Sequence, residues 1–157
     1  MGQEKPIFKL TEKIKEKKRM NEEKENGGMD QAQAQLDSIV ELVESYHEAK
    51  DIGEAEYEGD NLTEDELLDI INSKPLSLEV RAGWHNLGEK AGPDEYRILL
   101  SWGGPACQVI GDLDEYGDPY SAKIQGQDWY TEWKTLSLKG ADGERLLDFV
   151  RCFNFSE

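Results

Sequence analysis

Apolar and polar positions along this chain change period twice. From Asp30 to about Lys50, Leu36, Ile39, Val40, Leu42 and Val43 recur every three or four residues, with Tyr46 and His47 further on. Asp37, Glu41, Glu44 and Glu48 take the opposite side, so the spacing predicts an amphipathic helix. Glu41, Glu44 and Glu48 lie three and four apart, and like charges at that spacing oppose the helix by a few tenths of a kcal/mol per pair, so packing must hold it. Residues 51–62, DIGEAEYEGDNL, read as an acidic connector. Thr63 with Glu66 three residues on forms a capping box. It opens a short helix from Glu64 to about Asn72 that buries Leu67, Leu68, Ile70 and Ile71 and stops at Ser73-Lys74-Pro75.

The period then falls to two. Leu76, Leu78, Val80, Ala82 and Trp84 alternate with polar residues in a first strand. A polar loop leads to Tyr96, Ile98, Leu100 and Trp102, which alternate with Arg97, Leu99 and Ser101. Gly103-Gly104-Pro105 breaks the run. A third strand puts Cys107, Val109, Gly111 and Leu113 on one face and Ala106, Gln108 and Ile110 on the other. Glu115-Tyr116-Gly117-Asp118-Pro119 is a second turn, and a fourth strand runs from about Ala122 to Trp129. A further extended piece is expected at Thr135–Leu138. A last helix spans about Glu144 to Cys152, with Leu146, Leu147, Phe149, Val150 and Phe153 as its buried stripe. The expected fold is α+β: an antiparallel four-stranded sheet packed with two N-terminal helices and one C-terminal helix.

Composition restricts this picture to one domain. The chain has 157 residues, 33% charged and 37% hydrophobic, which leaves part of it with little to bury. Residues 1–28 are sparse in apolar side chains and alternate Lys with Glu, so they read as a flexible charged extension, and 29–157 as a single acidic domain. The net charge of −16 is unevenly placed: residues 1–28 hold eight Lys/Arg and six Asp/Glu, and the remainder ten and 28. Between Asp30 and Asp69 there are fourteen acids and one base, Lys50. A domain of that sign repels nucleic acid and anionic membrane and is steered toward basic surfaces. No apolar run approaches the ~18 residues of a membrane span, and the N-terminus has no signal-peptide core. A cytoplasmic setting in a bacterial host is expected.

No catalytic or metal motif emerges. Asp112, Asp114, Gly117 and Asp118 match positions one, three, six and seven of a calcium loop, but Tyr116 and Lys123 stand where the fifth and twelfth ligands belong. A polar hairpin turn explains them better. Cys107, His85 and Asp128 match a nucleophile, base and orienter by residue type alone, and Cys107 lies among apolar neighbours, as a core thiol would. Cys107, Cys152, His47 and His85 lack paired zinc spacing. Gly103-Gly104 is followed by no Lys-Ser/Thr, so it is no phosphate loop. Neither cofactor nor metal is expected. Trp84, Trp102, Trp129, Tyr130 and Trp133 are expected mostly in the core, with the remainder, Trp129 and Tyr130 first, anchoring an interface.

The segment from Val80 to Phe155 resembles a group of small, uncharacterised bacterial and phage-borne acidic proteins. The shared pattern is GGPA at Gly103 to Ala106, an Ile-Gly-x-Leu-x-x-Tyr-Gly-x-Pro turn at Ile110 to Pro119, Ala122, and QDW-x-T-x-W at Gln127 to Trp133. The resemblance implies association with mobile elements and no mechanism.

The expected function is therefore that of an acidic, non-enzymatic binding protein, phage- or mobile-element-encoded. It would engage a basic protein surface, that of a nucleic-acid-binding nuclease or surveillance complex, and inhibit it as an anti-CRISPR or antirestriction DNA mimic does. The partner-binding residues expected are Glu41, Glu44, Glu48, Glu56, Glu58, Asp112, Asp114, Asp118, Trp129 and Tyr130. The alternatives are an acidic accessory or regulatory interaction protein and, third, a small enzyme.

Overall fold

The strongest apolar periodicity becomes the buried face of one long helix. In the computed structural model, which describes residues 6–103 and 105–156 and side chains from Gly27 onward, helix α1 spans Pro6–Ile52. Ala32, Leu36, Ile39, Val43 and Tyr46 recur at four- and three-residue steps on its buried side, with Leu42 and Ala49 beside them. The helix runs through Gly27-Gly28 without ending there. The expected flexibility of residues 1–28 falls chiefly on side chains outside the described residues.

Strands β1 (Glu54–Tyr57) and β2 (Asp60–Thr63) follow as an antiparallel hairpin. Helix α2 covers Glu64–Ser73. Strands β3 (Ser77–Arg81), β4 (Glu95–Ser101), β5 (Ala106–Asp112), β6 (Lys123–Gln127) and β7 (Lys134–Thr135) form a second sheet in chain order. Helix α3, Asp142–Val150, ends the described elements.

The α+β class stands, but its architecture corrects the expected one. There are two sheets, of two and five strands, not one of four. One helix is N-terminal, one mid-chain and one C-terminal, in place of two N-terminal helices and one C-terminal helix. The acidic connector is the source of the first difference. Glu58 and Gly59 both take positive φ, 50° and 86°, the requirement of a two-residue hairpin turn whose twist matches its strands. Ala55 and Tyr57 then point inward and Glu54 and Glu56 outward. β7 is the fifth strand of the larger sheet, two residues at the start of the extended piece expected at Thr135–Leu138, paired to Gln125 and Gly126.

The inner face of the five-stranded sheet carries Tyr96, Ile98, Val109 and Ile124, all buried, and packs on α1. Leu146, Phe149 and Val150 of α3 and Leu67 and Ile71 of α2 complete one hydrophobic core. Helix and sheet meet closest at two glycines. A Cβ on Gly126 would strike the Gly28 carbonyl, and one on Gly28 would lie 2.8 Å from the Gln127 backbone. Such an approach admits no side chain at either position.

The tryptophans correct a second expectation. Trp84, Trp102 and Trp129 are exposed and Trp133 is half-buried. Alternation places a side chain inward only while its strand lasts. β3 ends at Arg81, before Trp84, and β4 ends at Ser101 after a register shift between Leu99 and Ser101, so Trp102 enters the turn.

Candidate functional site

Three groups of chemically distinctive side chains emerge, and the aromatic one stands apart from the acidic stretch of α1. The first is acidic. The C-terminal half of α1 serves as a spine on which the hairpin and α2 are both fixed. Ser45 Oγ donates to the Glu56 carbonyl at 3.0 Å, and Lys74 Nζ donates to Ser38 Oγ at 2.6 Å. Tyr57 is buried between hairpin and helix, and that burial raises its phenol, with the Glu58 and Glu41 carboxylates adding to the effect and Ser38 opposing it. Outward from this unit stand Glu41, Glu44, Glu48, Glu54, Glu56, Glu58 and Asp60, all exposed. Lys50 does not neutralise them. Its Nζ lies 4.7 Å over the Tyr46 ring, a cation–π placement.

Glu44 differs from its neighbours. Its Oε1 is 3.7 Å from Arg145 Nε of α3, and Arg145 Nη1 is 3.7 Å from Asp148, which also faces His47 at 3.6 Å. Sequence reasoning missed this cluster because its members come from helices about a hundred residues apart. Glu66 is likewise occupied, accepting from Thr63 N–H at 3.2 Å in the capping box that the sequence indicated.

The second group is the turn after β5. Asp114 Oδ1 accepts the N–H groups of Tyr116 at 2.8 Å and Asp118 at 2.9 Å, so its carboxylate closes the turn on itself. Asp112 Oδ2 accepts from Ser121 Oγ at 3.0 Å. Asp118 alone of the three stands exposed. This turn lies against the C-terminal segment, with Arg151 Nε donating to the Pro119 carbonyl at 3.4 Å. Among the described residues no cluster of three His, Cys, Asp or Glu side chains is arranged to hold a metal ion.

The third group is aromatic. After β6 the chain makes a tight loop, Asp128 to Thr131. Thr131 Oγ1 accepts the Asp128 N–H at 3.0 Å, Thr131 N–H donates to the Asp128 carbonyl at 3.3 Å, and Gln127 Nε2 donates to the Thr131 carbonyl at 2.9 Å. Asp128 Oδ1 accepts the Gly28 N–H of α1 at 2.7 Å, tying the loop to the helix. Trp129 is 62% exposed and Tyr130 102%. Gly28 and Glu48 are twenty residues apart on α1, about 30 Å at the helical rise. Trp129 and Tyr130 are thus not brought together with Glu41, Glu44 and Glu48.

The nucleophile, base and orienter are not assembled. Cys107 is fully buried and its thiol is pushed up to about 12 by that burial. His85 sits exposed beyond β3, and Asp128 is engaged with the helix. The outer face of the large sheet holds a shallow groove of about 580 Å³. Its charges are largely paired across strands: Arg97 Nη2 grips Glu79 at 3.0 Å to both oxygens, and Arg81 Nη2 meets Glu95 at 2.6 Å. No helix among the described residues is long and apolar enough to cross a membrane.

The chain matches no family model, no curated protein and no solved structure.

Proposed function

We propose that this chain is an acidic, non-enzymatic binding protein, phage- or mobile-element-encoded, that engages the basic surface of a nucleic-acid-binding defence complex and competes there with nucleic acid. The observation that supports the reading is the acidic unit. Its carboxylates stand on α1 and on the hairpin fixed to it, and the one base of residues 30–69 lies over an aromatic ring. Fixed charge loses less on binding than charge on a disordered tail, because little ordering entropy remains to be lost.

The test is capture of basic nucleic-acid-binding complexes from a bacterial lysate that expresses defence systems. A nuclease or surveillance complex retained at low salt, released as salt rises and displaced by DNA, is the expected result. The double variant Glu41→Lys/Glu48→Lys should release it too. Glu44 is spared because it faces Arg145. Recovery of no such complex, or binding untouched by the charge reversal, would sink the proposal.

A second reading, an accessory or regulatory interaction protein, is favoured by the exposed Trp129 and Tyr130. It requires binding that changes little between low and high salt and is abolished by loss of those rings.

A further inference from the structure

The loop that displays Trp129 and Tyr130 is poorly chosen for stability. Tyr130 has φ of 62°, the left-handed region that disfavours a bulky side chain and that Gly or Asn occupies at less cost. Its ring gains nothing back from packing on the core, being fully exposed. Yet the loop is closed by four internal hydrogen bonds and fastened to α1 through Asp128. A strained residue held this firmly is a feature of recognition sites.

The two rings have a definite relation. Their centroids are 6.3 Å apart and their planes are tilted by 41°. At that separation one cation can lie within the ~6 Å of both centroids at which cation–π attraction acts. The contact of Lys50 with Tyr46 shows the same attraction satisfied inside the molecule. Trp102, 74% exposed, emerges from the neighbouring turn, since Ala106 at the start of β5 pairs with Gln127 at the end of β6. Glu132 is exposed beside the loop, and Asp30 on the adjoining turn of α1.

The charge of the molecule selects the occupant. Phosphates and anionic lipid are repelled by a net −16, and so is a second copy of the chain. An arginine satisfies both parts of the site: its flat, weakly hydrated guanidinium stacks on aromatic faces and its N–H groups reach carboxylates. We infer that the Trp129–Tyr130 loop binds an arginine side chain of a basic protein partner, as a second contact separate from the acidic unit. The inference rests on the partner being basic, as proposed above.

The test is a titration of the full chain with a blocked Gly-Arg-Gly peptide, followed by NMR at the indole N–H signals of the four tryptophans. Blocked Gly-Lys-Gly serves as the comparison, and the salt is physiological. The expected result is a saturable shift at Trp129, at least twofold tighter for arginine than for lysine. Tyr130→Ala should weaken it at least fivefold, and Trp129→Ala should weaken at least fivefold the peptide's effect on the Thr131 and Glu132 backbone amides, whereas Glu41→Lys/Glu48→Lys should leave the Trp129 titration within twofold. Both rings are exposed, so the backbone spectrum of either variant should stay dispersed. Equal, non-saturating shifts at all four tryptophans, or a Trp129 titration unchanged in Tyr130→Ala, would overturn the inference. Failure of the lysate capture with this titration intact would remove the proposed target class and leave the arginine site standing.

Discussion

Cys107 and Tyr96 show what burial does to single ionisable groups. Burial pushes the Cys107 thiol from an ordinary 9.0 up to about 12, and burial with the Asp112 carboxylate raises the Tyr96 phenol. Each group keeps its proton in the folded chain at a pH where the unfolded chain gives it up. The unfolded state then binds fewer protons, so stability is full below the ordinary values of 9.0 and 10.0 and falls as pH climbs past them. The slope is about 1.4 kcal/mol per pH unit for each group. Urea midpoints should be level from pH 7 to 8 and drop by pH 10.5; a midpoint unchanged through pH 11 would refute this. Cys107 should also resist thiol reagents at pH 8 until the chain unfolds. Its place in the core was legible in the sequence, because Cys107 and Val109 alternate with Gln108 and Ile110 along one strand. The exposure of Trp84 and Trp102 was not legible, because it depends on where a strand stops, which alternation does not mark.

Elements were legible where their signals are contiguous. Thr63 and Glu66 announce the start of α2, and the structure builds that box. Thr63→Ala should lower unfolding stability by about 1 kcal/mol, read from urea denaturation with the slope unchanged. The hairpin before it escaped notice for two physical reasons. Its strands have four residues each, so Ala55 and Tyr57 give only two beats of alternation, and its turn carries Glu58 where Asn is the usual signal. The second reason yields a prediction. Glu58→Asn should raise stability by about 0.5 kcal/mol, since Asn tolerates positive φ. A lower urea midpoint in that variant would count against the turn geometry described. Gly27-Gly28 is a signal that works in the other direction. Paired glycines usually break a helix, but here the helix continues and the missing side chains let it touch β6.

For the molecule as a whole, charge was the most legible property and its pairing the least. Composition gives residues 29–157 ten bases against 28 acids. It does not indicate that Arg145 answers Glu44, a relation that exists only after α1 and α3 pack. A domain this acidic strains against its own repulsion, and screening relieves that. The thermal midpoint should therefore rise by several degrees between 10 mM and 500 mM sodium chloride, and a flat response would show the carboxylates already balanced. The glycine crossing also bears on how the chain reaches this structure. Strands β4, β5 and β6 are neighbours in sequence and can pair early, at little entropy of loop closure. The Gly28 to Asp128 contact joins residues 100 apart and fits only a sheet already formed. Docking of α1 onto β6 then belongs after the folding barrier. Gly126→Ala should accelerate unfolding severalfold while leaving the refolding rate nearly as it was, so the glycine crossing governs how long the native state lasts and not how fast it forms.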